Sequence, residues 1–276
     1  MKKGIFPFLC LLLSLSLGLS ASATAAEVKS KPTDLLSEES FAFAYSDLSG
    51  TRLLSDNSDR PKRFIQAIYA PGLQTAITYV KHQRQSEKSN GRQTAWNFDH
   101  DEGELFKVAK GKLTENETVI LTTKDAFQGH TFLKYKALTK GGFTKTTLRS
   151  VESIKKRKIK KQGLIGEVSK EIQIGLVEFQ RGKGQLPLAS IVLSTPKGLV
   201  FQDMVGNDDP NSTWRVEDGG EIKPEWFNVL FVTKSKSGYS LAIENWGSEG
   251  TYTMILQQKD RTFQLVADGA RYTYPV

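Results

Sequence analysis

The C-terminal stretch 226–276 carries the clearest pattern of apolar and polar positions in the chain. Residues 227–233 are apolar or β-branched at nearly every position, which predicts a strand covered on both faces. Further strands are predicted from period-two alternation between polar turns, at 239–243, 251–256, 263–267 and 271–274. The dipeptide Asp268-Gly269 is typical of a type I′ hairpin turn. The stretch is therefore predicted to be an antiparallel meander of five short strands.

Strand-like runs also fill the first half of the chain. They are bounded by turn-forming residues and cover 41–45, 63–70, 104–108, 118–123 and 131–138. Residues 73–83 fit both a helix and a strand, because their apolar side chains satisfy both spacings. One short helix is predicted within 33–40, with Thr33 as its N-cap. The pattern as a whole predicts a mainly β protein.

The two halves of the chain repeat several short patterns in the same order. The segment 96–99 (Trp-Asn-Phe-Asp) corresponds to 214–217 (Trp-Arg-Val-Glu), and 106–108 (Phe-Lys-Val) corresponds to 227–229 (Phe-Asn-Val). The offset stays at about 120 residues, which is the size of an ordinary domain. We therefore predict two tandem antiparallel modules, each a β-sandwich-like or curved sheet. The alternative is that stretches of strands and turns resemble each other because they share composition.

The N-terminus has the features of an export signal. Lys2 and Lys3 precede an apolar core at 5–19, which is too short to span a membrane comfortably. Small residues at 23–26 offer cleavage sites, and the alternative is an uncleaved membrane anchor. The predicted organisation is a cleaved signal peptide at 1–26, a polar segment at 27–40, a first β module at 41–151, a basic linker at 152–162 and a second β module at 163–276. No transmembrane span is expected in the mature chain.

Cysteine content and charge narrow the class of protein. Cys10 is the single cysteine and lies in the predicted signal, so the mature chain would have no disulfide, no thiol nucleophile and no thiolate metal site. A cysteine-free exported chain is typical of bacteria. The formal net charge is +8, which favours acidic neighbours such as envelope polyanions. For an exported protein, nucleic acid is a less natural ligand than such polyanions.

A basic run occupies the predicted linker. It suits a solvated linker or an exposed sheet edge, because like charges repel each other. The alternative is a docking strip for an anionic surface. No aromatic residues alternate with these charges, so stacking on nucleobases is not supported. The run consists of Lys155, Lys156, Arg157, Lys158, Lys160 and Lys161.

Two groups of carboxylates follow tryptophans and are the first candidates for chemistry. Solvated turns explain them most simply. Oxygen ligands on loops could instead bind Ca²⁺, although the EF-hand pattern is absent. The groups are Asp99, Glu102 and Glu104 after Trp96, and Glu217, Asp218 and Glu221 after Trp214. The second group could also supply the acid and base of a glycosidase. No His-Glu-x-x-His or Gly-x-Ser-x-Gly motif is present, and no cofactor other than Ca²⁺ is indicated.

Aromatic side chains near turns are the candidates for ligand binding. Trp246 precedes the turn 247–250, and Tyr272 and Tyr274 share one face of the last predicted strand. Exposed rings of this kind could stack on sugars, whereas packing inside the sheet is the ordinary alternative. Because the sequence shows no catalytic motif, it favours a non-enzymatic role.

The functional hypothesis follows from these observations. We expect an exported, non-catalytic protein that binds a polymer, a glycan or a protein partner in the cell envelope or outside the cell. One alternative is a secreted hydrolase of a polysaccharide or cell-wall polymer with paired carboxylates. The other is a structural or inhibitory protein that adds a strand to a partner through a sheet edge. The sequence leaves the ligand and the oligomeric state open.

Overall fold

A computed structural model describes residues 34–207 and 222–274, all within one compact unit, Pro32–Val276. The described residues form a mainly β structure, which confirms the predicted class. The predicted signal peptide 1–26 and the carboxylates Glu217, Asp218 and Glu221 lie outside the described residues. No helix in the described ranges is long and apolar enough to cross a membrane.

The first part of the chain forms a closed six-stranded barrel. Its strands are β1 (Phe41–Ser46), β2 (Arg52–Ser55), β3 (Phe64–Tyr69), β4 (Leu73–Gln83), β5 (Gly103–Val108) and β6 (Thr118–Thr123). They follow the order β1-β2-β5-β4-β3-β6, and antiparallel pairing of β6 with β1 closes the ring. Fully buried side chains such as Leu53, Phe106 and Leu121 fill the interior. Closure leaves the barrel without an unpaired edge.

The rest of the chain forms a ten-stranded sheet. Its strands are β7 (Thr131–Phe132), β8 (Lys136–Ala137), β9 (Ile159–Ser169), β10 (Ile172–Phe179), β11 (Leu188–Thr195), β12 (Gly198–Val205), β13 (Phe227–Lys234), β14 (Tyr239–Trp246), β15 (Gly250–Lys259) and β16 (Thr262–Tyr272). The order is β7-β13-β14-β15-β16-β12-β11-β10-β9-β8, with a parallel contact between β12 and β16. Both edge strands belong to one short segment, 131–137. The sheet therefore curls until its two edges meet.

The curled sheet encloses its own hydrophobic core. Ile174 and Ile191 from one side of the sheet meet Val229, Leu241 and Leu256 from the other side. The Tyr135 hydroxyl, between β7 and β8, donates a hydrogen bond to the carbonyl of Val229. This hydrogen bond holds the segment 131–137, which contains both edge strands, against β13.

Strands β13–β15 are buried on both faces along most of their length, as predicted for residues 227–233. Val229 faces the core of the sheet, whereas Phe231 and Ile255 pack against Phe41 and Ile120 of the barrel. A register shift between Val229 and Phe231 lies where the side chains change face. Barrel and sheet therefore share a continuous apolar contact.

One α-helix, α1 (Lys145–Lys155), covers the outer face of β9–β12. Thr144 caps it by accepting a hydrogen bond from the backbone N–H of Thr147 at 3.1 Å. Val151 is fully buried against the sheet, and Lys156 ends the helix in the left-handed conformation. The predicted linker 152–162 contributes the last turn of this helix and the start of β9.

The predicted meander differs from the structure at its last turn. Asp268 and Gly269 continue β16 and pair with Met254 and Thr253, so the predicted hairpin is wrong. A Cβ atom at Gly269 would approach the ring of Phe43 on β1 to 2.5 Å. The glycine is therefore required by the close approach of the barrel and not by a turn.

Other segments show a simpler outcome. The ambiguous segment 73–83 is strand β4, and the predicted strand at 131–138 is interrupted between β7 and β8. The helix expected within 33–40 is reduced to one 3-10 turn, Glu38–Ser40. The two-module repeat stays a prediction.

Candidate functional site

A cavity of about 530 Å³ lies between loops of the barrel and strands of the sheet, and we call it the barrel–sheet cavity. The loops at 94–96 and 114–118 line its barrel side, and residues of β13–β16 with Thr273 and Tyr274 line its sheet side. Asn116 adopts a left-handed backbone conformation, with φ 57°. Its side chain accepts a hydrogen bond from the backbone N–H of Ala95 at 3.1 Å. This bond holds the two loops together.

The strand register places a row of side chains on the face of the sheet that lines the cavity. Trp246 on β14 lies opposite Thr251 on β15, and Thr251 lies opposite Arg271 on β16. Side chains at directly opposed positions share one face of the sheet. Glu244 is two residues before Trp246 on β14 and therefore points to the same face.

Arg271 is the buried cation of the site, with a relative exposure of 7%. Its guanidinium donates to Thr118 Oγ1 at 2.7 Å, Asn116 Oδ1 at 2.7 Å and the Gln93 carbonyl at 2.9 Å. A fourth bond reaches the Asn116 carbonyl at 3.2 Å. Desolvation lowers the pKa of Arg271 to about 10, and the nearby Glu244 carboxylate partly opposes this shift. Arg271 remains charged at neutral pH and joins β16 to both barrel loops.

Glu244 is the buried anion of the site, with a relative exposure of 4%. Thr118 Oγ1 donates a short 2.5 Å hydrogen bond to Glu244 Oε1 while it accepts from Arg271. The hydroxyl therefore connects the two opposite charges. Within the described part of the chain, no group donates a hydrogen bond to Glu244 Oε2.

Glu117 lies beside this charge pair. Burial raises the pKa of Glu117, and the negative charge of Glu244 acts in the same direction. Glu117 Oε2 accepts a hydrogen bond from the backbone N–H of Thr114 at 3.1 Å, which partly offsets the shift. Glu115, on the same loop, is exposed at the cavity.

Three aromatic side chains at the cavity are half exposed. The relative exposures are 60% for Trp96, 49% for Trp246 and 46% for Tyr274. The sequence singled out Trp246 and Tyr274, but it marked Trp96 only as the residue that precedes the first group of carboxylates. Tyr272 does not line the cavity, and the guanidinium of Arg92 lies 4.0 Å from the centre of its ring.

Two buried polar atoms of the lining residues have no hydrogen-bond partner among the described residues. They are Thr251 Oγ1 and Arg271 Nε. Buried polar groups in native proteins are almost always hydrogen-bonded, so an orphaned one requires an explanation. An ordered water is the usual partner of such a group.

The first group of carboxylates predicted to bind Ca²⁺ lies apart from the cavity. Asp99 forms an ion pair with Arg52 at 2.6 Å. Glu104 and Glu102 approach the ring of His82 at 3.2 and 3.5 Å. Across 34–207 and 222–274, no group of three His, Cys, Asp or Glu side chains is placed to hold a metal ion. The structure therefore offers no geometric support for the first Ca²⁺ group.

The basic run at 155–161 is partly used by the fold. Lys155 pairs with Asp203 at 2.7 Å, and Lys160 pairs with the buried Glu178 at 2.7 Å. Lys158 pairs with Glu152 at 2.9 Å, and Arg157 donates a hydrogen bond to the Leu186 carbonyl at 2.8 Å. Lys156, which ends the helix, and Lys161, on β9, complete the run. These contacts stabilise the helix against the sheet and reduce the charge available to an anionic surface.

Comparison with family models, with curated proteins and with solved structures gave no match in any of the three. The pocket is concave and is lined by half-exposed aromatic rings and a few buried polar groups, a composition that small-molecule pockets share.

Proposed function

We propose that this chain is an exported, non-catalytic binding protein and that the barrel–sheet cavity is its ligand site. The observation that carries the proposal is the combination of three half-exposed aromatic side chains with the buried polar residues Arg271 and Glu244 in the lining of one pocket. A volume of about 530 Å³ lies within the range of ordinary ligand pockets. The site therefore suits one or two sugar units of a longer glycan.

The chemistry of the lining favours a saccharide. The faces of Trp96, Trp246 and Tyr274 offer flat apolar surface for the C–H face of a pyranose ring. Glu244 Oε2 and Glu117 offer acceptors for sugar hydroxyl groups. A polymer can enter because the rings stand at the mouth, where more than two fifths of each side chain is exposed.

Two further parts of the proposal rest on the sequence. The export signal at 1–26 motivates placement in the cell envelope or the extracellular space, in a bacterium. The ordered correspondences between the halves motivate descent from two tandem modules, with the basic linker between them. Removal of the signal during secretion can be tested by N-terminal sequencing of the secreted protein.

The alternatives have less support. The hydrolase hypothesis depends on Glu217, Asp218 and Glu221, which lie outside the described residues. Addition of a strand needs an open sheet edge. The barrel is closed, and the edge strands β7 and β8 have two residues each. We therefore favour binding in the cavity.

The decisive experiment measures glycan binding by the mature protein and two matched variants. A glycan array identifies the ligand, and tryptophan fluorescence titration gives its affinity. We expect Tyr274→Ala to weaken binding about tenfold, the effect of losing one aromatic contact in a hot spot. Tyr272→Ala, on the same chain end but outside the cavity, should bind as the wild type does.

Two results would contradict the proposal. The first is a folded wild-type protein that binds no glycan on the array. The second is an equal loss of affinity in both tyrosine variants, because the ligand would then contact the chain end and not the cavity.

A further inference from the structure

The cavity has an excess of negative charge inside a basic protein. Its described lining includes the carboxylates of Glu115, Glu117 and Glu244 and a single cationic group, that of Arg271. The chain as a whole carries a formal charge of +8. The local charge is therefore opposite in sign to that of the molecule.

The buried pair accounts for only part of these charges. Arg271 and Glu244 are connected through Thr118 and compensate each other. Glu115 and Glu117 have no cationic partner among the described residues. An uncompensated carboxylate next to a pocket favours a ligand with positive charge.

The aromatic rings at the mouth of the cavity also favour a positively charged ligand. The face of an indole or phenol ring carries negative electrostatic potential and attracts ammonium groups. Trp96, Trp246 and Tyr274 supply such faces at the mouth. Rings and carboxylates together select a cation more strongly than either group alone.

An anionic ligand would find few donors in this cavity. Four hydrogen bonds from Arg271 already reach protein acceptors, and its Nε atom is buried from solvent. An incoming carboxylate or phosphate would also meet Glu115 and Glu117. The charge of Arg271 therefore serves the fold and leaves the cavity acidic.

We infer that the barrel–sheet cavity recognises an ammonium group, presented by a sugar with a free amine. The inference rests on the proposed binding of a saccharide and names its chemical class. The ammonium lies against the rings at the mouth and near Glu117, while the sugar ring uses the remaining aromatic surface. A quaternary ammonium headgroup offers the same charge without the sugar and is the second source of this chemistry.

The test compares ligands that differ only in the amine. Calorimetry at pH 6 measures binding of a glucosamine tetramer, an N-acetylglucosamine tetramer and choline to the mature protein. We expect the glucosamine tetramer to bind at least tenfold more tightly than the acetylated tetramer. Choline should bind more weakly than the glucosamine tetramer, since it lacks the ring.

A variant assigns the preference to the cavity. Glu117→Gln keeps the shape of the side chain and removes its charge. It should reduce the preference for the glucosamine tetramer to a few-fold, because it weakens binding of the charged tetramer more than binding of the acetylated one. The matched control is Glu102→Gln, which removes a carboxylate beside His82 outside the cavity and should change neither affinity.

The possible results distinguish the ammonium inference from the proposed binding of a saccharide. Equal binding of both tetramers would overturn the inference and leave the proposed function intact. Tight binding of choline without either tetramer would support the ammonium site and overturn the saccharide. Binding of none of the three ligands would overturn the inference. If no glycan on the array binds either, the proposed function is also overturned. An unchanged preference in Glu117→Gln would overturn the assignment to the cavity.

Discussion

Replacement of Arg271 by methionine tests the charge arrangement at the centre of the site. The change keeps an unbranched apolar stem and removes four hydrogen bonds to Thr118, Asn116 and Gln93. It also leaves Glu244 buried without a compensating charge. Removing one of two neighbouring buried charges costs about 3–5 kcal/mol, and the lost hydrogen bonds also leave buried acceptors unsatisfied.

The expected loss is large enough to measure by thermal and urea unfolding. For a folded unit of this size, Arg271→Met should lower Tm by roughly 10 °C. Adding Glu244→Gln to that variant should restore about 1–2 kcal/mol, because the orphaned charge is then removed. The double-mutant cycle isolates the coupling between the two residues across Thr118.

The control is a lysine whose ion pair lies at the surface. Lys158 contacts Glu152 at 2.9 Å. Lys158→Met should change the free energy of unfolding far less than Arg271→Met, since exposed pairs contribute little. If Arg271→Met costs no more than Lys158→Met, then Arg271 does not compensate a buried charge and the description of the site is wrong.

Three further changes test separate parts of the structure. Gly269→Ala should destabilise the protein by about 1–3 kcal/mol in urea unfolding, because its methyl group would overlap the ring of Phe43; a neutral effect would contradict the packing of the barrel on β16. Glu117→Gln should raise Tm at pH 7 and have little effect below the ordinary glutamate pKa of 4.5. Because the pKa of Glu117 is higher in the folded than in the unfolded protein, the wild type loses stability as the pH rises above 4.5. An equal gain in Tm at pH 7 and below pH 4.5 would refute this reasoning. Asp34→Asn should lower Tm at pH 7, with the difference closing as pH falls below about 4, since hydrogen bonds from the side chain and backbone of Ser237 lower the pKa of Asp34. A difference independent of pH would exclude that cause.

The sequence predicted most of the strands because strand periodicity is local. The apolar run at 227–233 indicated a strand covered on both faces, and the structure places the sheet core on one face and the barrel on the other. The aromatic candidate Trp246 precedes a predicted turn and Tyr274 lies on the last predicted strand, and both line the cavity. These features depend on neighbours within a few positions, which a sequence displays directly.

The polar centre of the site could not be read in the same way. Thr118 and Glu244 are 126 positions apart, and Thr118 and Arg271 are 153 positions apart. No periodicity connects residues at such distances, so their meeting depends on how the barrel packs on the sheet. The glycine at 269 shows the same limit, because a turn and a close tertiary contact require the same residue type.

The contact between barrel and sheet has an apolar part and a polar part with different physical roles. Phe231, Ile255 and Phe41 bury apolar surface, which stabilises the contact without specifying a ligand. The polar part places a charge pair, orphaned polar atoms and the carboxylate of Glu117 in the same contact. Burial of these groups costs free energy that an apolar contact would avoid. A ligand that supplies the missing positive charge would recover part of that cost on binding, which is the physical reason to locate the function in the cavity.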